Sequence, residues 1–314
     1  MKRALVTGGA GFIGSHLVDR LVREGVETVV LDDFSTGRRE NLADAGGKIE
    51  LHKADLRDAE AVREALRGCE AVFHQGALPS VARSMKDPLA TTQVNVHGTL
   101  NVLQAAAAEP ACRKVVFASS SSVYGDTAVL PKVETMPMSP RSPYAASKAA
   151  GEAYCVAFGH SFDLSTVCLR YFNVFGPRQS AQNQYAAVIP IFIERALRGE
   201  PPYIEGDGEQ TRDFTFVSDV VEANLLAARA DTGDSAVLNV APGEPHSILE
   251  LAVAISRAVG ITEPPVHVDP RTGDVRHSHA DASAAGGLIG WAPKVSFEDG
   301  LERTMLAAGV RSNS

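Results

Sequence analysis

The sequence predicts an α/β fold: a doubly wound parallel sheet with helices on both faces, followed by a smaller and looser C-terminal region. Three observations predict it. Apolar runs alternate with helical patterns through the first half of the chain. A glycine triplet stands between the first run and the first helix, and an aspartate ends the second run. Near-continuous apolar runs are what strands need when both faces of their sheet are covered.

The elements follow in order. RALVT (3–7) reads as a buried strand, and a helical pattern runs from Phe12 to Arg23. VETVVLD (26–32) is a second strand, KIELHKADL carries a third, and DAEAVREALRG (58–68) is a short amphipathic helix. EAVFH (70–74) is the fourth strand, and one long helical stretch spans Asp87 to Ala108. KVVFAS (114–119) is the fifth strand, a helix starts near Pro143, and STVCLRY (165–171) is the sixth strand. After Tyr171, loops lengthen and Gly, Pro and charged residues crowd in, as in FGPRQSAQNQY and VHVDPRTGDVRH. The expected division is a Rossmann-type domain over 1–171 and a mainly substrate-binding region over 172–314, with some segments returning to the sheet. The closing RSNS is expected to fray.

Composition narrows the function. The chain has 314 residues, 45% hydrophobic and 22% charged, as a soluble enzyme would. A net charge of -8 argues against nucleic acid as a partner. No apolar run approaches membrane-spanning length, and the residues after Met1-Lys2-Arg3 are too few for a signal peptide, so a cytoplasmic protein off the membrane is expected. Cys69, Cys112, Cys155 and Cys168 lack metal or redox spacing, so buried free thiols are expected and no metal site.

Gly8, Gly11 and Gly14 in TGGAGFIG have the spacing of a dinucleotide turn, with Phe12 and Ile13 opening the helix behind it. Glycine lets backbone amides approach a pyrophosphate, and the helix N-terminus adds its dipole. Asp32 lies 18 residues beyond Gly14, where an acid bonds a ribose 2′-hydroxyl and repels a 2′-phosphate. NAD is therefore favoured over NADP. Asp55 and Leu56, after the third strand, are candidates to cap the adenine; an ordinary helix N-cap would look the same.

The second constellation is catalytic. Tyr144 and Lys148 lie four apart on the helix that starts near Pro143, so they share a face. A free tyrosine with a pKa near 10 is no base at neutral pH, and lowering it by about three units takes roughly 4 kcal/mol. An ammonium and a nicotinium in a partly desolvated cleft can supply that. The serine run Ser119–Ser122 closes the fifth strand, where a hydroxyl can bind the oxygen whose proton Tyr144 removes. A turn alone would also use serines.

TGGAGFIG, the serine run with VYG, YxxxK, LRYFNVFG, GDGEQTRDF and GDVRHSHAD together resemble the extended short-chain dehydrogenase/reductase family, nearest its UDP-hexose and UDP-N-acetylhexosamine 4-epimerases. The resemblance runs in order along nearly the whole chain. It implies a tightly held NAD, with Asp33, Phe34, Ser35, Thr36 and Gly37 beyond Asp32 at the adenosine end. It also implies cofactor contacts from Gln75, Ala77, Asn95, Tyr144, Lys148 and Tyr171. Tyr144 would deprotonate the sugar 4-hydroxyl while hydride passes to NAD, and the 4-keto sugar would turn over before hydride returns. Ser120 aligns with the family's catalytic hydroxyl. Ser121 and Ser122 stand where related dehydratases carry Asp and Glu, and where decarboxylases carry a Glu at the second position.

For the sugar nucleotide, the resemblance implies a UDP clamp from Arg212 and Arg271, with Asp274 on the uridine ribose. Ser120, Ser121, Asn173, Val188 and Tyr203 complete the expected contacts. Ser278 would leave room for an acetamido group that Gln179 could bond. Plain hexoses and N-acetylhexosamines are both expected substrates. A homodimer is expected through helices near 87–108 and 143–160. A UDP-glucuronate 4-epimerase stays open, as does a catalytically silent NAD-binding regulator, against which Ser120, Tyr144 and Lys148 together argue.

Overall fold

In the computed structural model, residues 1–180, 187–269 and 275–310 are described. The first half contains β1 (Arg3–Thr7), α1 (Phe12–Arg23), β2 (Glu27–Leu31), β3 (Ile49–His52), α2 (Ala59–Leu66) and β4 (Ala71–His74). Next come α3 (Val81–Lys86), α4 (Pro88–Thr92), α5 (Gly98–Ala108), β5 (Lys114–Ser120), α6 (Pro143–Ser161) and β6 (Ser165–Tyr171). The second half holds α7 (Val188–Leu197), β7 (Tyr203–Glu205), β8 (Thr211–Asp213), α8 (Val217–Arg229), β9 (Ser235–Val240) and β10 (Pro245–Ser247). It continues with α9 (Ile248–Val259), β11 (Val266–Val268), α10 (Ser283–Ile289) and α11 (Phe297–Ala307).

Seven strands form one parallel sheet in the order β3-β2-β1-β4-β5-β6-β9. The chain winds outward from β1 to β3, then restarts at β4 on the other side of β1. That reversal opens a crevice at the carboxyl ends of β1 and β4, the place where doubly wound sheets bind ligands. β9, from the second half, pairs with β6 and closes the edge. Neighbouring residues along one strand feed opposite cores. Leu5, Val115 and Phe117 join Val102, Leu103 and Cys155 on one face, while Val6 and Val116 join Leu17, Leu21 and Val220 on the other. A separate core of Phe175, Phe192, Phe214, Ile255, Phe297 and Leu301 holds much of the second half together. All four cysteines are buried and free. No helix among the described residues is long and apolar enough to cross a membrane.

Local chemistry explains the boundaries. Asp58 caps α2 by accepting the amides of Glu60 and Ala61. Ser142 caps α6 by accepting the Ala145 amide, with Pro143 at the first helical position. Ser247 and Glu250 form a reciprocal capping box on α9, which ends at left-handed Gly260.

The long helical stretch expected over Asp87–Ala108 is continuous from Pro88 and widens into a π turn over Gln93–His97. The reason is buried Asn95. Its side chain accepts the Leu78 amide at 2.8 Å and donates to the Leu78 carbonyl at 3.2 Å and the Ser147 hydroxyl at 3.0 Å. The widened turn aims that amide at the loop after β4 and at α6, as such turns often do at functional sites.

Candidate active site

The glycine turn is built for close approach. Gly8 has φ 65°, and a Cβ there would lie 2.7 Å from the backbone of Gly76. A Cβ on Gly14 would meet the Gly8 carbonyl at 2.1 Å. Gly11 precedes α1, and Phe12 and Ile13 begin it. Asp32, buried just beyond β2, accepts the Ala10 amide at 2.9 Å and the Phe34 amide at 2.8 Å. The turn and the acid are thus one hydrogen-bonded unit. Burial pushes the Asp32 carboxyl above its usual range, while these two amides hold it down.

Asp33 accepts the Ser35 amide at 2.8 Å, and Phe34 takes φ 59°, a strained value for an aromatic residue. Asp33, Ser35 and Thr36 are exposed along this loop, and Gly37 and Phe34 are half-buried. Asp55 pairs with Arg57 at 2.6 Å, which holds its carboxyl below the usual range. The α2 cap next to it is Asp58, so Asp55 is left outside the helix. Leu56 is buried. Gln75 and Ala77 follow β4. The Gln75 amide donates to the Tyr171 hydroxyl at 3.1 Å and to Asn224 at 2.9 Å. Burial pushes Tyr171 up to about 12.

At the other side of the crevice, Ser120 ends β5 and caps a short 3-10 turn over Ser121–Tyr124. Its Oγ accepts the Ser122 amide at 3.2 Å and the Ser122 hydroxyl at 2.9 Å. With both acceptor positions used, the Ser120 proton is left to donate, and the Tyr144 phenol is within its reach. Tyr144 lies in the first turn of α6, half-buried. Burial raises its phenol above the ordinary tyrosine pKa, and the Ser120 hydroxyl pulls the other way. One helical turn on, buried Lys148 donates to the Ala118 carbonyl at 2.7 Å, with its ammonium 5.0 Å from the centre of the Phe117 ring. Burial pushes Lys148 down to about 8.

The structure brings in residues that the sequence reading missed. His74 bonds Thr7 through Nδ1 at 2.7 Å and Thr99 through Nε2 at 2.9 Å. Thr99 donates to the Asn95 carbonyl, so Nε2 carries the proton and Nδ1 accepts from Thr7. Thr7 in turn accepts the Gly76 amide at 3.1 Å. Burial holds this imidazole neutral, with its pKa down at about 3. The chain of bonds continues through Asn95 and Ser147 to the Tyr144 carbonyl at 2.7 Å, tying the glycine turn to α6. Glu152 on α6 accepts from Arg170 of β6 at 2.7 and 2.9 Å and from Ser119. A histidine at the end of an apolar strand was the one signal available for the first network.

The sugar-nucleotide candidates are more dispersed. Arg212 lies on β8 and donates to the Thr211 carbonyl at 2.8 Å. Ser278 is buried beside it, its amide bonded to Thr211 at 3.1 Å. Asn173 takes φ 31°, a left-handed value that asparagine tolerates better than most residues. Val188 opens α7. Tyr203 is exposed on β7 under the Arg195 guanidinium. Gln179 donates to the Val174 carbonyl at 3.1 Å, and its Oε1 has no partner among the described residues. It lines a cavity of about 300 Å³ with Pro190, Ile193 and Thr304, to which neither Ser278 nor the catalytic candidates contribute. Arg271 and Asp274 lie outside the described residues. Among the described residues, no group of three His, Cys, Asp or Glu side chains is placed to hold a metal ion.

Residues 4–241 match the model of the NAD dependent epimerase/dehydratase family. The chain is 43% identical over 312 residues to a UDP-glucose 4-epimerase of Mycolicibacterium smegmatis, covering 96% of this chain and 97% of that protein. It is also similar to the solved UDP-N-acetylglucosamine 4-epimerase of Methanobrevibacter ruminantium in complex with UDP-N-acetylmuramic acid. There the TM-score is 0.93 at 41% identity, with 98% of both chains covered. The UDP-glucose 4-epimerase of Thermus thermophilus, solved with NAD, matches with a TM-score of 0.88 at 41% identity, covering 97% of this chain and 98% of that one.

Proposed function

Because the chain belongs to the NAD dependent epimerase/dehydratase family, we propose that it is an isomerase, a UDP-sugar 4-epimerase that uses NAD. The observation that carries the reading is the catalytic end of the crevice. Ser120, Tyr144 and Lys148 meet there, while Ser121 and Ser122 supply no carboxylate. A site able to take a proton from a sugar hydroxyl, yet lacking an acid/base for elimination, favours return of the keto sugar to an alcohol.

The residues present fit the cofactor. The Gly8 and Gly14 turn packs so closely on its own backbone that no Cβ fits, which makes the tight strand-to-helix turn a pyrophosphate needs, and Asp32 offers a fixed carboxylate to a free ribose hydroxyl. Held by the Gly8 turn and Asp32, a bound NAD would supply a reversible hydride acceptor for carbon 4 of the sugar. Tyr144 is the general base and then the general acid at the 4-oxygen. Ser120, its acceptor positions filled by Ser122, donates to that oxygen and holds it beside the phenol. Burial alone favours the neutral phenol, so the Lys148 ammonium, one helical turn away, is needed to make proton removal easier. Gln75, Asn224 and Tyr171 present a fixed polar wall between β4 and β6.

Arg212 and Arg271 serve as the diphosphate clamp and Asp274 as the ribose contact in this reading. Serine at 278, buried next to the Arg212 strand, leaves space at carbon 2, so UDP-GlcNAc and UDP-GalNAc are proposed as substrates alongside the plain UDP-hexoses. A homodimer is proposed through α4, α5 and α6, the helices over 87–108 and 143–160. Leu89 on α4 is 67% exposed, apolar surface that a second copy would cover. The test is to incubate the NAD-loaded protein with UDP-galactose and with UDP-GalNAc and separate the products. The reading predicts UDP-glucose and UDP-GlcNAc. Recovery of unchanged substrate in both would overturn it.

A further inference from the structure

Three lysines are buried among the described residues, and they differ in how well they are bonded. Lys114, at the far end of β5 from Ser120, meets three acceptors: Ser165 at 2.8 Å, the Ala230 carbonyl at 3.1 Å and Thr232 at 2.8 Å. That is a full set for an ammonium. Lys148 meets one acceptor, the Ala118 carbonyl, and lies one helical turn from Tyr144 of the proposed catalytic set. Lys132 is 2% exposed, yet its Nζ has only the Gly125 carbonyl at 3.4 Å, the outer edge of hydrogen bonding. No other acceptor meets it among the described residues. An ammonium hidden from water and left with spare donors is costly, and a native fold rarely keeps one without a use.

The backbone shows where this ammonium lies. The Lys132 amide donates to the His279 carbonyl at 2.8 Å, and its carbonyl accepts the Asp281 amide at 3.0 Å and the Asn239 side chain at 3.1 Å. Lys132 and Ala280 form an isolated bridge, two residues from Ser278. The side chain reaches back to Gly125, five residues past Ser120, with Nζ 5.9 Å from the centre of the Tyr124 ring. It therefore spans from the segment that carries Ser278 to the turn that carries Ser120. Arg212 and Asp126 are the charged groups that act on it, and burial pushes its pKa below that of an ordinary lysine.

We propose that Lys132 is a substrate-recognition residue whose ammonium donates to an oxygen of the hexose in the bound UDP-sugar. The inference rests on the UDP-sugar reading above. The hexose rather than the diphosphate is its partner because Nζ lies against Gly125, the residue that follows the serine turn, while the proposed diphosphate clamp uses the Arg212 guanidinium.

The test is calorimetric titration of the NAD-loaded protein with UDP-glucose and, separately, with UDP, for the wild type and for Lys132→Met. The variant should bind UDP-glucose at least about tenfold more weakly, the loss expected for one contact. Its affinity for UDP should stay within about twofold, and its bound NAD and thermal midpoint should not fall. A lysine with only a structural role would change the midpoint and leave the UDP-glucose affinity alone, which would overturn the inference. An equal loss for UDP and UDP-glucose would overturn it too, by placing the ammonium on the phosphate. Lys132→Gln takes the same comparison if Lys132→Met does not fold. A wild type that binds no UDP-glucose sinks the epimerase reading and this inference together, whereas normal wild-type binding with an unaffected variant sinks this inference alone.

Discussion

The Lys148 ammonium donates to the Ala118 carbonyl at 2.7 Å, one strand position short of the serine pair that ends β5. This bond fixes α6 against β5 and sets the ammonium one turn from Tyr144. It also leaves Lys148 with a single acceptor inside the protein, which is why burial pushes its pKa down to about 8.

That shift gives a pH prediction. Lys148 is cationic below about pH 8 and neutral above it, so turnover should decline as pH rises through that value. In the unfolded chain a lysine keeps its proton to about pH 10.4. Between those two values the unfolded chain binds more protons, so stability of the NAD-free protein should rise with pH across that window. Lys148→Met should abolish turnover and remove this rise. A thermal midpoint whose pH dependence is the same in both proteins would show that the lysine is not held at a lowered pKa.

Tyr144→Phe should keep the fold and the bound NAD but lose at least about a hundredfold in turnover, the low end for loss of general acid/base catalysis. The phenol is replaced without disturbing the Ser147 bond to the Tyr144 carbonyl or the Ser142 cap. Steady-state assay beside circular dichroism checks it; near-normal turnover would remove Tyr144 as the base.

Asp32→Asn should weaken NAD binding by about tenfold or more, since hydrogen bonds to a charged group contribute about 1.5–3 kcal/mol. The asparagine oxygen can still accept one of the Ala10 and Phe34 amides, so the turn should persist. Discrimination against NADP should shrink, because the repelling charge is gone. Fluorescence titration of cofactor-stripped protein with both dinucleotides reads both effects. Unchanged NAD affinity would place the ribose away from Asp32.

Ser278→Tyr should abolish activity on UDP-GalNAc while sparing UDP-galactose. Ser278 is buried next to the Arg212 strand, and in the proposed reading a phenol there would take the room given to the acetamido group. Equal loss on both substrates would mean that the wall at 278 closes on the whole sugar.

The sequence made the parallel sheet, the glycine turn with Asp32, and the YxxxK helix readable because each rests on local chemistry. Buried strands are written as apolar runs, the turn as glycine spacing, and the α6 start as Ser142-Pro143. What stayed hidden depends on partners distant in sequence. The π turn over Gln93–His97 is set by Asn95 reaching Leu78 and Ser147. The His74 chain needs Thr7 and Thr99, 67 and 25 residues away. Lys132 reads as a loop charge until the fold buries it against Gly125. In the substrate region, Gln179 and Ser278 were paired on family resemblance, yet Gln179 lines a cavity with α7 and α11 while Ser278 sits beside β8.

Epimerisation at this site requires oxidation and re-reduction at one sugar carbon by one bound cofactor. UDP-galactose carrying deuterium at carbon 4 separates that route from elimination or decarboxylation. The NAD-loaded protein should convert it to UDP-glucose that keeps the deuterium at carbon 4, with no net NADH, no 4-keto-6-deoxy sugar and no released carbon dioxide. Loss of the label to solvent, or accumulation of the deoxy sugar or a UDP-pentose, would contradict it.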